Sequence, residues 1–408
     1  MSSLAEFSKR LGQTLPQRRY RSFNGMFLAA AALPLVVVGA FNIAIDPYGA
    51  FNSPAIAGIN QAKPEKFKQD MLVKAIEVTQ KHPDLILLGS SRVQWGIDPH
   101  YPGFSEARSP YNLALQGVNM GEMRHYFDHA LTNQPALKQV IIGLDELMFS
   151  EFNVDRPGFE PSRLSQRFLP VQDWLNMTLS IDALQASQRT LETNRDRPSA
   201  VDVGEFRVAP PIFVDGMLAL SHSEPNPPSA AEFISNLSNR LRPDRSDGRY
   251  SDYRVAAEQM DHFRYIVETC RQRGIELKVF ISPEHAMLFD AMNHYRFGSD
   301  IEQWKRELVK ITPVWDFSGY NSITTETPRR QMTYYLDSSH YSPTTGRLIL
   351  DRMFAKTSDA IPSDFGVLLT PSTIEAHLAS VRAARDRWAA QHPDLAIAVR
   401  DIGHPSRP

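Results

Sequence analysis

Asp84-Leu85-Ile86-Leu87-Leu88-Gly89-Ser90-Ser91-Arg92 is a short apolar run, entered from His82-Pro83 and closed by Gly-Ser-Ser. Apolar residues without alternation, bounded in this way, form a parallel strand buried on both faces. Such a strand delivers the hydroxyls of Ser90 and Ser91 to the carboxyl edge of a sheet, where open α/β sheets keep their sites. Gly-Ser-Ser is equally ordinary turn composition, so the motif alone does not make a nucleophile.

The elements on either side repeat the same grammar. Lys63 to Lys81 is amphipathic, with Phe67, Met71, Leu72, Ala75 and Val78 on one side of a predicted helix. Downstream, Trp95 to Pro99 is a loop and Tyr111 to Leu115 a second strand. Gln116 to Gly121 is a glycine-containing connection to a helix over Glu122 to Leu131, and Gln139 to Asp145 is a third strand ending in Gly-x-Asp. Strand, helix and strand at this spacing imply right-handed crossovers and a parallel sheet. From Ser150 to Asp252 Pro, Arg, Ser and Asn become frequent. One helix is predicted from Val171 to Leu191, and Glu224 to Pro228 and Arg240 to Tyr250 read as open loop. The segment is either an insertion lying over the site as a lid or, in its second half, a linker.

Sheet grammar then resumes with a helix from Val255 to Arg273 closed by Gly274, the strand Leu277 to Ser282, a helix from Ile301 to Ile311 and the strand Val314 to Phe317. Tyr334 to Pro343 leads into a helix from Thr344 to Phe354. After residue 361 come a helix from Thr373 to Gln391 and an unstructured end, an appendix to the fold. The expected organisation is a basic segment over 1–22, an anchor over 23–45, an α/β domain over 46–150 and 253–360, an insertion over 151–252 and a helical appendix over 361–408.

The 408 residues carry a formal charge of -2 and 42% hydrophobic content, enough for a sizeable core and no basic bias towards nucleic acid. Cys270 stands alone, which excludes an intrachain disulfide and a metal–thiolate cluster. From Ser22 to Ile45 there is no charged residue, a run long enough at 1.5 Å per residue to cross a bilayer, with Pro34 tolerated as a kink. Lys9, Arg10, Arg18, Arg19 and Arg21 precede it against Glu6 alone, so the positive-inside rule leaves the N-terminus in the cytoplasm. A cleavable signal peptide ending near Val38-Gly39-Ala40 is the competing reading. The uncleaved anchor is preferred because the basic segment is long and the apolar run exceeds a signal core. The chain is therefore expected in the bacterial inner membrane as a single-pass protein with a periplasmic C-terminal domain.

Asp337 and His340 stand three apart in a turn before a helix, which lets the carboxylate orient the imidazole and the imidazole reach a hydroxyl. An N-cap role serves Asp337 equally well. His125 and His129 are four apart on a helix but lack the intervening Glu of a zincin, and neither a Walker loop nor a dinucleotide fingerprint is present. No metal and no cofactor is expected.

Gly89-Ser90-Ser91, Gly117 and Asp337-Ser338-Ser339-His340, in this order, resemble the blocks of the SGNH hydrolase superfamily. Within it the chain looks like the membrane-anchored branch of the teichoic-acid D-alanyl transfer protein and the alginate O-acetyltransferases. The resemblance covers roughly residues 65–150 and 255–355. It implies a three-layer α/β/α sandwich, with Ser91 as nucleophile, His340 as general base and Asp337 as its orienter. The family's Gly-x-Asn-Asp, whose Asn donates to the oxyanion, is here Gly143-Leu144-Asp145-Glu146, and an ionised carboxylate cannot donate. Three outcomes stand. The backbone N–H groups of Ser91 and Gly117 serve, helped by Asn112 or Asn119; or Arg92 pairs with Asp145 and directs a spare N–H at the substrate; or the fold is a non-catalytic assembly or glycan-binding module. His285, after another strand, is a further candidate for the mouth of the sheet. The resemblance implies serine O-acyl transfer or ester hydrolysis on an envelope glycan, next to a multi-span membrane acyltransferase.

Overall fold

A computed structural model describes residues 3–104, 106–165, 170–195, 200–203, 206–220, 230–241, 253–294, 298–329, 332–356 and 360–403. The chain divides into two compact units, residues 1–65 with 170–198, and residues 66–169 with 199–408.

The first unit is built on the helix Ser3–Ile45, of which Tyr20–Ile45 is long and apolar enough to cross a membrane. Its C-terminal end is tied down by polar contacts. Lys63 Nζ donates to the terminal carbonyl of Asp46, the Asp46 carboxylate accepts the N–H groups of Ala50, Phe51 and Ser53, and Asn60 Nδ2 donates to Ile45 O. Lys63 and Asn60 satisfy carbonyls that a helix end leaves without partners, and the Asp46 carboxylate orders the turn that follows. The helices Val171–Leu179 and Ile181–Arg195 pack against it. They were expected as one helix, but Ser180 is extended and its hydroxyl accepts the Ala183 N–H, which ends one helix and caps the next.

The second unit holds the central sheet. Its strands are β1 (Leu85–Leu88), β2 (Pro110–Asn112) and β3 (Gln139–Leu144), and, after the three strands β4 (Val201–Val203), β5 (Phe206–Val214) and β6 (Met217–Leu220) of a separate sheet, β7 (Glu276–Ile281), β8 (Val314–Asp316) and β9 (Val367–Leu369). The order β2-β1-β3-β7-β8-β9 is parallel except for the antiparallel edge strand β9. Every side chain of β1 is buried, as the absence of alternation requires. Leu85 and Leu87 join Ile141, Phe280, Phe317 and the helix Pro343–Met353 in one core. Ile86, Leu88, Val140 and Ile142, of opposite parity, are buried on the other face. Because the chain steps from β1 to one side and from β3 to the other, the crevice between their carboxyl ends is the switch point of the sheet.

Three further expectations fail at the level of elements. The amphipathic stretch 63–81 breaks at Gln69 into Glu65–Lys68 and Asp70–Lys81. The expected irregular insertion contains the antiparallel sheet β4-β5-β6, whose hairpin turns at Asp215-Gly216 with positive φ at both residues, and the helix Ala230–Leu241. Of the sections predicted as loop, Glu224 to Pro228 lies outside the described residues, and Arg240 to Tyr250 begins inside the helix Ala230–Leu241 and from 242 on lies outside them. The tail is no appendix. β9 pairs with β8, His377 Nε2 lies 2.9 Å from the buried Asp316, and Pro393–Gly403 is a helix on which Ala396 and Val399 are buried. Pro393 starts that helix, the first-turn position where its missing N–H costs nothing.

Candidate active site

Gly89 leaves β1 with a Cβ position that Val93 and the Gly143 carbonyl already fill, so only glycine lets the chain turn there. The helix Ser91–Gly96 follows at once, with Ser90 as its N-cap, accepting the Arg92 N–H at 3.2 Å. Ser91 thus heads a helix at the switch point, and it keeps partial exposure while Ser90 is buried.

The Tyr334 to Ser342 turn supplies the other half. A bridge between Tyr335 and Tyr341 and the Leu336 N–H on His340 O close it, and Ser342, not Asp337, caps the following helix. One oxygen of Asp337 accepts the N–H groups of Ser339 and His340, each at 2.7 Å, and the other faces His340 Nδ1 at 2.7 Å. With Nδ1–H directed at the carboxylate, the lone pair of Nε2 is left for Ser91 Oγ, 2.8 Å away. Sequence reasoning brought these three together. It missed Trp95, one turn beyond Ser91, whose ring stacks on His340 with centroids 3.9 Å apart. It also missed the glycine contact that sets the spacing: a Cβ on Gly346 would meet Gly96 O at 1.7 Å, so the helices carrying Ser91 and following His340 cross in backbone contact.

Arg92 pairs with Asp145 as expected, its guanidinium nitrogen 3.0 Å from the carboxylate. The expected spare N–H towards substrate does not follow. Arg92 is buried; the same nitrogen meets Glu284 at 2.5 Å, and its Nε and second terminal nitrogen donate to Ser339 Oγ at 3.2 and 3.1 Å. Ser90 Oγ donates to the second oxygen of Asp145. Glu146 lies 3.8 Å from the guanidinium, and burial, together with the Glu284 carboxylate, holds its carboxyl well above the usual range. Arg92 is therefore the counter-ion of a buried carboxylate cluster beneath the nucleophile, tying the ends of β1, β3 and β7 to the His340 turn.

Asn112 and Asn119 are not oxyanion donors. The Asn112 amide donates to Val93 O and Ile97 O, and its oxygen accepts the Ala114 N–H. Asn119 caps the helix Met120–Asn133 in a capping box and donates to Asn153 O and Asp155. Gly117 sits at φ +61, in the left-handed region that favours glycine. Its loop is held by Arg156, which donates to Gln116 O at 2.5 Å and pairs with Glu122, and by Asp70, which accepts the Gln116 N–H. His285 is buried, with Nε2 2.6 Å from Glu326 O and Nδ1 accepting the Met287 N–H; burial pushes its pKa down to about 4. It braces the turn, its own N–H donating to Ser338 O, and is no base at the mouth.

The chain matches no protein-family model, no curated protein and no solved structure.

Proposed function

We propose that the protein is a membrane-anchored serine acyltransferase or esterase of SGNH type, anchored by Tyr20–Ile45, acting outside the cytoplasm on an envelope glycan. The observation that carries the reading is the chain of contacts from Ser91 Oγ through His340 to Asp337, at 2.8 and 2.7 Å, both within the range for proton transfer. In the proposed reaction Ser91 Oγ attacks the acyl carbonyl and passes its proton to His340 Nε2, whose positive charge Asp337 stabilises. The oxyanion takes the backbone N–H of Ser91, which as the first helical residue has no acceptor within its own helix, and that of Gly117. His340 protonates the leaving group. A glycan hydroxyl or water then loses a proton to His340 as it attacks the acyl-serine, and the bond between the acyl carbon and Ser91 Oγ breaks as His340 returns that proton to Oγ. The multi-span acyltransferase as donor belongs to the same proposal.

A second reading is a non-catalytic assembly or glycan-binding module. It is favoured by the carboxylate of Asp145 in place of an amide and by the commitment of Asn112 and Asn119 elsewhere. Hydrolysis of p-nitrophenyl acetate by the purified protein separates the two. Activity that falls by about 10³-fold or more in Ser91→Ala is the result expected of the enzyme. Parent activity no higher than that of the variant would leave the module.

A further inference from the structure

The helix Val171–Leu179 has two faces. One is packed: Asp173 and Met177 are buried, Asn42 Nδ2 of the apolar helix donates to Thr178 O at 2.8 Å, and the Trp174 ring packs at a tilt against Phe51. The other repeats at four-residue spacing as Val171, Leu175 and Leu179, followed by Ile181; they are 73%, 45%, 39% and 74% exposed. Asp173 is the sole charged residue from Val171 to Ile181, and it points inward. A stripe of large apolar side chains, flanked by the uncharged Gln172 and Asn176 and by an exposed charge, Asp182, only beyond Ile181, marks a surface that something covers.

What covers it follows from its neighbour. A Cβ on Gly39 would stand 3.2 Å from Leu179, so Leu179 is level with Gly39 on the apolar helix. Counted from Tyr20, Gly39 is about 29 Å along the axis, against about 30 Å for a hydrocarbon core. The stripe therefore continues the lipid-facing surface of Leu35 and Val36, themselves more than half exposed, at the far edge of the span. Ile56 and Ile59, 50% and 38% exposed, stand on the turn that Asn60 pins to the same helix end.

We propose that Val171–Leu179 lies in the interfacial layer of the membrane, with Val171, Leu175, Leu179 and Ile181 against the acyl chains. The inference rests on the anchoring reading above. Together with Ile56, Ile59 and Ile181 this helix forms an apolar collar where the anchor leaves the bilayer, fixing the orientation of the first unit on the lipid surface.

The test uses the full chain in nanodiscs of phosphatidylethanolamine and phosphatidylglycerol, with a nitroxide at Val171→Cys, Ile181→Cys, Leu28→Cys or Glu258→Cys. The native Cys270 is buried, with its thiol pushed up to about 12, and stays unlabelled. Oxygen accessibility relative to a water-soluble nickel chelate is expected to be several-fold higher at 171 and 181 than at 258, approaching the value at 28. A high ratio at 28 with water-like ratios at 171 and 181 overturns the collar and leaves the anchor standing. A water-like ratio at 28 overturns the anchor, and this inference with it.

Discussion

His340 is held on three sides, by Asp337 at Nδ1, by Ser91 at Nε2 and by the ring of Trp95. The stacking fixes the plane of the imidazole, so Trp95→Ala should cost about 10²-fold in kcat with little effect on KM, the loss expected when a reacting group drifts, whereas Trp95→Phe keeps most of the rate; steady-state ester hydrolysis distinguishes them. Arg92→Ala leaves Asp145 and Glu284 without their cation, and breaking a buried pair costs about 3–5 kcal/mol. Its main effect should therefore be on unfolding midpoint, not on turnover per folded molecule. His285 behaves differently again. Its pKa falls from 6.5 to about 4 on folding, so the unfolded chain binds the extra proton and stability drains away as pH drops from about 6.5 to about 4, by about 3 kcal/mol at most. His285→Gln keeps a donor and an acceptor there and should flatten that acid limb in denaturant titrations. Ser91, His340, Asp337 and the Arg92–Asp145 pair were legible in the sequence because each follows a strand end or a tight turn. The roles of Asn112, Asn119 and His285 were not, since a buried side chain's partners come from segments distant in sequence.

At the scale of elements, the geometry depends on the helix Ser91–Gly96 crossing the helix Pro343–Met353 at Gly96 and Gly346. Gly346→Ala must push the helices apart, and with them Ser91 from His340. Overpacking of this kind costs about 1–3 kcal/mol, and both a lowered melting temperature and a loss of ester hydrolysis are expected; unchanged activity would show that the crossing does not set the site. The parallel strands were readable as uninterrupted apolar runs. The small sheet was missed although Asp215-Gly216 is a strong two-residue hairpin signal, because Pro210-Pro211 breaks the strand pattern. The register shift between Val208 and Phe213 accommodates those prolines.

For the whole molecule, the tail completes the central sheet. β9 covers the edge of β8, and the buried Asp316 is paired with Lys305 at 2.7 Å and hydrogen-bonded to His377 of the tail; burial alone would raise its carboxyl, but the Lys305 ammonium and the hydrogen bonds to it hold it below the usual range. A chain ending at Ala360 should therefore aggregate or melt far below the full chain. No sequence period announces β9, a three-residue strand whose pairing is purely tertiary. The proposed orientation follows from charge alone: Lys9, Arg10, Arg18 and Arg19 precede Tyr20–Ile45, and by the positive-inside rule we propose that the C-terminal end lies outside the cytoplasm. A reporter active only outside the cytoplasm, fused after Pro408, should be active; activity of a cytoplasmic reporter at that junction would reverse the topology.

Nucleophilic attack by Ser91 Oγ is the event on which the functional account stands. Intact-mass and peptide mass spectrometry of the full-length protein after treatment with a fluorophosphonate reads it directly. The account predicts one adduct on the peptide carrying Ser91, absent in Ser91→Ala and formed much more slowly in His340→Gln. An unlabelled parent protein, or an adduct that persists in Ser91→Ala, would contradict it.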